Sequence, residues 1–199
     1  MNKLIVKAPI NSTSLGNVSL NILRELFKLD FSVSLFPHQE NTDVSVYDRL
    51  NPTFAEWLNK SIKDRYKTIE INTPTLQVWH IGGSTERHSN RSILYTFYEL
   101  DEPTPTELNI ANSHDKIIFS SSHAMNCFLQ SGVKNSSFAP LGFDEDFFET
   151  KKVYLKNIKH FGLMGKLEKR KHTLRIIKYW AEQFGNKPEY QLSCAITNK

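Results

Sequence analysis

The segment Gly165–His172, GKLEKRKH, gathers Lys166, Lys169, Arg170 and Lys171 between a predicted strand and a predicted helix. Cations placed there add to the partial positive charge of the helix N-terminus, and the combination suits a diphosphate. Arginine contributes a planar fork and lysine a point charge, so phosphate oxygens in differing orientations can be met. A short basic run is also the ordinary make-up of a solvated turn, and the residues alone leave both readings open. A second loop, NSTSLGNV, carries Gly16 between the first predicted strand and the first predicted helix. Its missing side chain suits either close backbone approach to a ligand or a plain tight turn. A single glycine does not make the GxGxxG fingerprint of dinucleotide binding, which ranks a nicotinamide-dependent oxidoreductase last among the readings.

His80 and Glu99 fall at or near the ends of two predicted central strands, with Asp101 and Glu102 crowded beside Glu99. An imidazole or carboxylate facing a cleft can position or deprotonate a hydroxyl. His80 equally suits a hydrogen-bonded core histidine, and Glu99 a turn cap. The seven histidines are scattered without an HExxH pair, and Cys127 and Cys194 have no CxxC spacing. Neither a metal site, a zinc ribbon nor a disulfide framework is expected, and a reducing cytoplasm fits.

Short apolar runs alternate with helical patterns, the signature of a parallel α/β sheet. Strands are predicted at Leu4–Ile10, Phe31–Phe36, Leu76–Ile81, Ser92–Glu99, Asp115–Ser120 and Ser136–Leu141. The spacing of Val18, Ile22, Leu23, Leu26 and Phe27 predicts a helix over Asn17–Leu29 stopped at Asp30. Asn51 before Pro52 starts another, with Phe54, Trp57, Leu58 and Ile62 as its buried stripe. Gly82–Arg91 is expected as a loop, and Ser122 as the cap of a helix carrying Met125, Phe128 and Leu129 that ends at Gly132. After Gly142 the stretch FDEDFFETKKVYLKN reads as a connection between domains, and the pattern restarts. A strand over His160–Met164, a helix over Thr173–Phe184 with Ile176, Ile177, Trp180 and Phe184 inward, and a strand over Tyr190–Thr197 follow.

The chain's 199 residues correspond to one domain and part of another at about 150 residues per domain. A 39% apolar and 12% aromatic content supports a buried core and excludes disordered and collagenous classes. No apolar run reaches the roughly 18 residues of a membrane span, and the start lacks a signal-type cleavage site. The net charge of +4 suits phosphate groups or an anionic membrane surface and is too small to argue for nucleic acid. The expected organisation is a domain over 1–150, then a linker and first β-α-β unit over 151–199. A unit that cannot cover its own sheet implies that more chain follows or docks.

The run YTFYELDEPTPTELNIANSHDKIIFSSSHAMNCFLQSGVKNSSFAPLGFDEDFF resembles the N-terminal domain of glycosyltransferase family 4 enzymes, and GKLEKRK resembles their donor-diphosphate motif. The matching pieces are Ser120–Ser122 at a strand end, Ser131–Val133 as an "sGv" turn, and Pro140–Phe147 as the lead toward the second domain. The resemblance implies α/β fold class and GT-B architecture: a Rossmann-like parallel sheet flanked by helices, then a truncated second Rossmann-like unit, with the active site in the cleft between. By position, Gly16 matches the glycine-rich loop near donor phosphates and acceptor, and Lys171 the lysine on the diphosphate. Lys166 stands where the family has arginine, which loses the bidentate fork, with Arg170 as the neighbour placed to compensate. VWHIGG keeps His80 but has Gly82 in place of the second histidine of the family's pair. Tyr98 stands where an active-site histidine is usual, with Glu99 next. The family's paired glutamates are expected beyond Lys199.

The implied function is transfer of a sugar from a nucleotide-diphosphate donor to a glycan, lipid or protein acceptor, with retention and without a metal or resident cofactor. Glu99, Tyr98 and His80 are the implied catalytic residues; Gly16, Lys166, Arg170 and Lys171 are the implied diphosphate-binding residues. A fragment without the rest of the donor domain is expected to be inactive alone. The implied location is the cytoplasm, with peripheral contact at the inner membrane face. The alternative is a non-catalytic acceptor- or partner-binding protein derived from such a domain.

Overall fold

The computed structural model describes residues 2–38, 42–44, 50–67, 69–143 and 156–197, and the chain divides into two units, Met1–Asp144 and Glu145–Lys199. In the first unit, strands β1 (Lys3–Ala8), β2 (Ser32–Pro37), β3 (Thr75–Val78), β4 (Ser92–Thr96), β5 (Lys116–Phe119) and β6 (Ser136–Phe138) form one sheet. All its pairings are parallel, and the order is β2-β1-β3-β4-β5-β6. Helices α1 (Ser14–Lys28), α2 (Pro52–Lys63), α3 (Pro105–Ser113) and α4 (Ser122–Gln130) flank it. This is the Rossmann-like α/β class, and the order reverses direction between β1 and β3. Open parallel sheets bind ligands at such a reversal, outside the strands' carboxyl ends.

Side-chain alternation along each strand divides the core in two. Val6, Ala8, Val33, Leu35, Val78 and Tyr95 pack with Leu20 and Leu23 of α1 and Phe54 and Leu58 of α2. Leu94, Ile117 and Phe119 pack with Ile81, Ala111 of α3, Ala124 and Phe128 of α4, and Val133. Phe128 is fully buried, with ring centroids 4.8 Å from Phe119 and 4.9 Å from Tyr98.

The local chemistry explains most element ends. Asn51 caps α2 by accepting from the Thr53 amide at 2.9 Å, with proline in the first turn. Asp30 takes φ 56° just past α1, the left-handed conformation that aspartate tolerates at a stop. Gly132 follows α4 at φ 91°. The strands β3, β4 and β6 stop at Val78, Thr96 and Phe138, short of the expected Ile81, Glu99 and Leu141. Past β3 the chain winds instead into a 3-10 turn over Ile81–Gly83. Helix α1 starts at Ser14, earlier than Asn17, and α4 is capped by Ser121, whose Oγ accepts from the Ala124 amide, rather than by Ser122. Leu129 is exposed. Helix α3 was not among the expected elements; Thr104 and Glu107 form a reciprocal capping box in front of it, with Pro105 in its first turn.

In the second unit, β7 (Lys159–Lys166), α5 (Thr173–Phe184) and β8 (Tyr190–Thr197) form a β-α-β unit with β7 and β8 parallel. Phe161, Trp180, Phe184 and Tyr190 cluster by their rings. Thr173 alone is buried among its described residues. Ile177, Trp180 and Phe184 are half-buried as the helical spacing implies, but Ile176 is 43% exposed because α5 has a single sheet face to cover. Most of the expected connection, together with the expected boundary at 150/151 and the end of Pro140–Phe147, lies outside the described residues.

Gly16 lies in the first turn of α1, where a Cβ would strike the carbonyl and side-chain oxygens of Asn11. Gly16→Ala is therefore expected to destabilise the first unit by about 1–3 kcal/mol, read as a lowered urea midpoint at unchanged slope.

Candidate functional site

The loop from β1 to α1 is held by Asn11, whose Oδ1 accepts from the Thr13 amide at 3.0 Å and from the Thr13 hydroxyl at 2.6 Å. Gly16 does permit a close backbone approach, but the group that approaches is the chain's own Asn11. Thr13 at the start of α1 gives no side-chain cap, so no side chain of its own covers the first-turn amides from that position.

His80 follows β3 by two residues, and Tyr98 and Glu99 follow the neighbouring β4, so all three leave the same carboxyl edge. His80 is exposed and meets Trp79 edge-on, with centroids 5.6 Å apart. Glu99 is exposed as well. Tyr98 is half-buried; its hydroxyl donates to the Glu102 carbonyl at 2.9 Å and lies 3.5 Å from Glu107 Oε2. Burial first, then the Glu107 carboxylate, pushes the phenol's pKa up, so it remains a neutral donor. No hydrogen bond, ion pair or ring contact joins His80 to Tyr98 or Glu99 among the described residues.

The basic turn occupies the end of β7 and a 3-10 turn over Lys169–Lys171. Gly165 has φ 136°, and the Lys171 amine lies over it, about 3.5 Å from where a Cβ would stand. Arg170 Nε pairs with Glu168 Oε2 at 2.9 Å. Lys166, Lys169, Arg170 and Lys171 are all exposed, and His172 at φ 51° leads into α5.

Three clusters escape sequence reasoning. His114 is buried between Ser84 Oγ, 3.1 Å from Nε2, and Ser92 Oγ, 2.7 Å from Nδ1. Both of its nitrogens are engaged with buried hydroxyls, so it ties the 3-10 turn after β3 to the start of β4. A second cluster sets His123 Nε2 3.1 Å from Asp101 Oδ1 and 3.6 Å from Cys127 Sγ. One nitrogen faces both partners, whereas a nucleophile relay needs the carboxylate on the opposite nitrogen. The i, i+4 spacing of His123 and Cys127 was the available signal.

The third cluster lies at the sheet reversal: Lys7 of β1 pairs with Glu86, and His88 Nε2 lies 3.4 Å from the other Glu86 oxygen. His38, just past β2, stacks on Trp79 at 4.2 Å between centroids. A lysine between Val6 and Ala8 in the buried part of β1 was the signal for this group. Among the described residues no three histidine, cysteine, aspartate or glutamate side chains are grouped to hold a metal ion, and no helix is long and apolar enough to cross a membrane. Compared with models of known protein families and with curated protein sequences, the chain matches none.

Burial lowers the pKa of both His38 and His114 to about 4, with Lys7 and His88 adding to the effect at His38 and Arg87 at His114. Between that value and about 6.5 the unfolded chain binds more protons than the folded one, so stability rises with pH across this window. Urea midpoints are expected to fall from pH 7 to pH 4.5, and His114→Gln to flatten that decline while lowering stability at pH 7.

Proposed function

We propose that this chain carries the acceptor-side domain and the opening β-α-β unit of the donor-side domain of a retaining GT-B glycosyltransferase. Its donor is a nucleotide-diphosphate sugar, and its acceptor a hydroxyl of a glycan, lipid or protein. The observation that supports this most directly is the basic turn between β7 and α5. There Gly165 takes φ 136° beside the Lys171 amine, and four exposed cations precede a helix N-terminus.

In such a transfer the bond from the anomeric carbon to the diphosphate breaks and a bond to the acceptor oxygen forms. Negative charge grows on the departing diphosphate, and preorganised cations stabilise it. Arg170 is already paired with Glu168, which favours Lys166 and Lys171 for this role. On the first unit, Glu99 is the exposed carboxylate able to orient the acceptor hydroxyl or take its proton, with His80 on the same sheet edge. Tyr98 serves by positioning, since its hydroxyl is committed to Glu102 and neighbours Glu107. Gly16 acts by setting the shape of the β1–α1 loop. The reading assigns no resident metal or cofactor, and it puts the protein in the cytoplasm with peripheral contact at the membrane.

Titration calorimetry of this chain with a panel of nucleoside diphosphates tests the assignment. Lys171→Ala is expected to weaken binding about tenfold, or about 1.4 kcal/mol. Equal affinity of the parent and variant chains would overturn the role of the turn.

A further inference from the structure

The cluster at the sheet reversal has a composition that the fold does not require. Lys7 stands in the second strand from the edge and is only 7% exposed. Register sets it beside Phe36 of β2 and Gln77 of β3 on one face of the sheet. Into that space come His88, stacked on Phe36 at 4.3 Å between centroids, and His38, stacked on Trp79. The Arg65 guanidinium lies over the outer part of the same group, 5.7 Å from the Phe36 ring centroid.

Glu86 is the carboxylate that these bases meet. One of its oxygens takes Lys7 and the other faces His88. Its side chain is 59% exposed, so it reaches inward from solvent rather than belonging to the core. Its backbone is fixed, because Gln77 Nε2 donates to the Glu86 carbonyl at 2.6 Å. Rotation of the side chain alone therefore withdraws the carboxylate without moving the loop. What remains is a buried ammonium beside two imidazoles. Gln77 is fully buried with its Nε2 spent on the Glu86 carbonyl, and the ring nitrogens His38 Nε2 and His88 Nε2 both lack a hydrogen-bond partner among the described residues. An isolated cation in such a place is costly, which favours an anion in the carboxylate's position when it leaves.

We infer that Lys7, His38 and His88 form a receptor for a phosphate group, and that Glu86 occupies it when no ligand is bound. A phosphate monoester carries nearly two charges and three acceptor oxygens, against one charge and two oxygens for Glu86, and so meets more of the converging donors. Burial lowers the pKa of Lys7, and burial followed by the neighbouring Lys7 charge lowers those of His38 and His88, as befits bases set close together against the sheet. The site stands on the first unit alone and is independent of the glycosyl-transfer reading, whose diphosphate lies at the basic turn of the second unit.

The test is calorimetric titration of the full chain with inorganic phosphate, and separately with acetate, at constant ionic strength. Glu86→Gln is expected to bind phosphate at least tenfold more tightly than the parent chain, because the competing carboxylate is gone. Adding Lys7→Gln to that variant is expected to abolish the gain. Should the double variant fail to fold by circular dichroism, Glu86→Gln with His88→Asn takes its place and is expected to lose most of the gain. Equal phosphate affinity of the parent and Glu86→Gln chains would overturn the inference. So would a gain for acetate as large as that for phosphate, which would make the site a general carboxylate receptor.

Discussion

A parallel sheet must be covered on both faces, and that requirement arranges everything else in the first unit. Helices α1 and α2 close one face and α3 and α4 part of the other. Over β1, β2 and β3 no helix closes the second face among the described residues. The irregular segment 84–91 lies there, with the Glu86 carbonyl on Gln77 and Ser89 on Thr75. Polar residues on this face are therefore paired to a loop rather than excluded by apolar packing. The same arrangement explains why Lys7 can sit inside the sheet at all.

The chain has two kinds of basic cluster, with different physics. The turn after β7 is exposed, so its cations are hydrated and screened. Lys7 is already desolvated, so it interacts more strongly with its neighbours than an exposed lysine does. His114 shows a third use of the same chemistry. Its ring is kept neutral by burial and serves as a rigid connector between two hydroxyls.

The sequence makes legible whatever depends on local pattern. The alternation of apolar runs and amphipathic stretches yields the parallel α/β class, and Asn51-Pro52 yields the start of α2. Helix α3 escapes because its burial is slight, with only Ala111 fully enclosed, so hydrophobic periodicity hardly registers. The Thr104–Glu107 capping box was a better signal than periodicity there. Strand ends are overextended where apolar residues continue past the last ladder bond, as Ile81 does in turning under to join the α3–α4 side of the core. For the site residues, spacing brings His80, Tyr98 and Glu99 to one edge but cannot show that Tyr98 is committed to Glu102. Pairings across large sequence separations, such as Lys7 with Glu86 and Ser84 with His114, depend on strand order, which no local pattern encodes.

The second unit's small sheet has a consequence for how the protein behaves in concentrated solution. With only β7 and β8 paired among the described residues, each strand has one side whose backbone amides and carbonyls meet no ladder partner. Strand β8, YQLSCAIT, carries no charged side chain and no proline, the two devices that ordinarily keep such a border from recruiting another chain. Among the described residues its outer border is thus a template for β-augmentation, by a further strand of the same sheet or by a second copy of the chain.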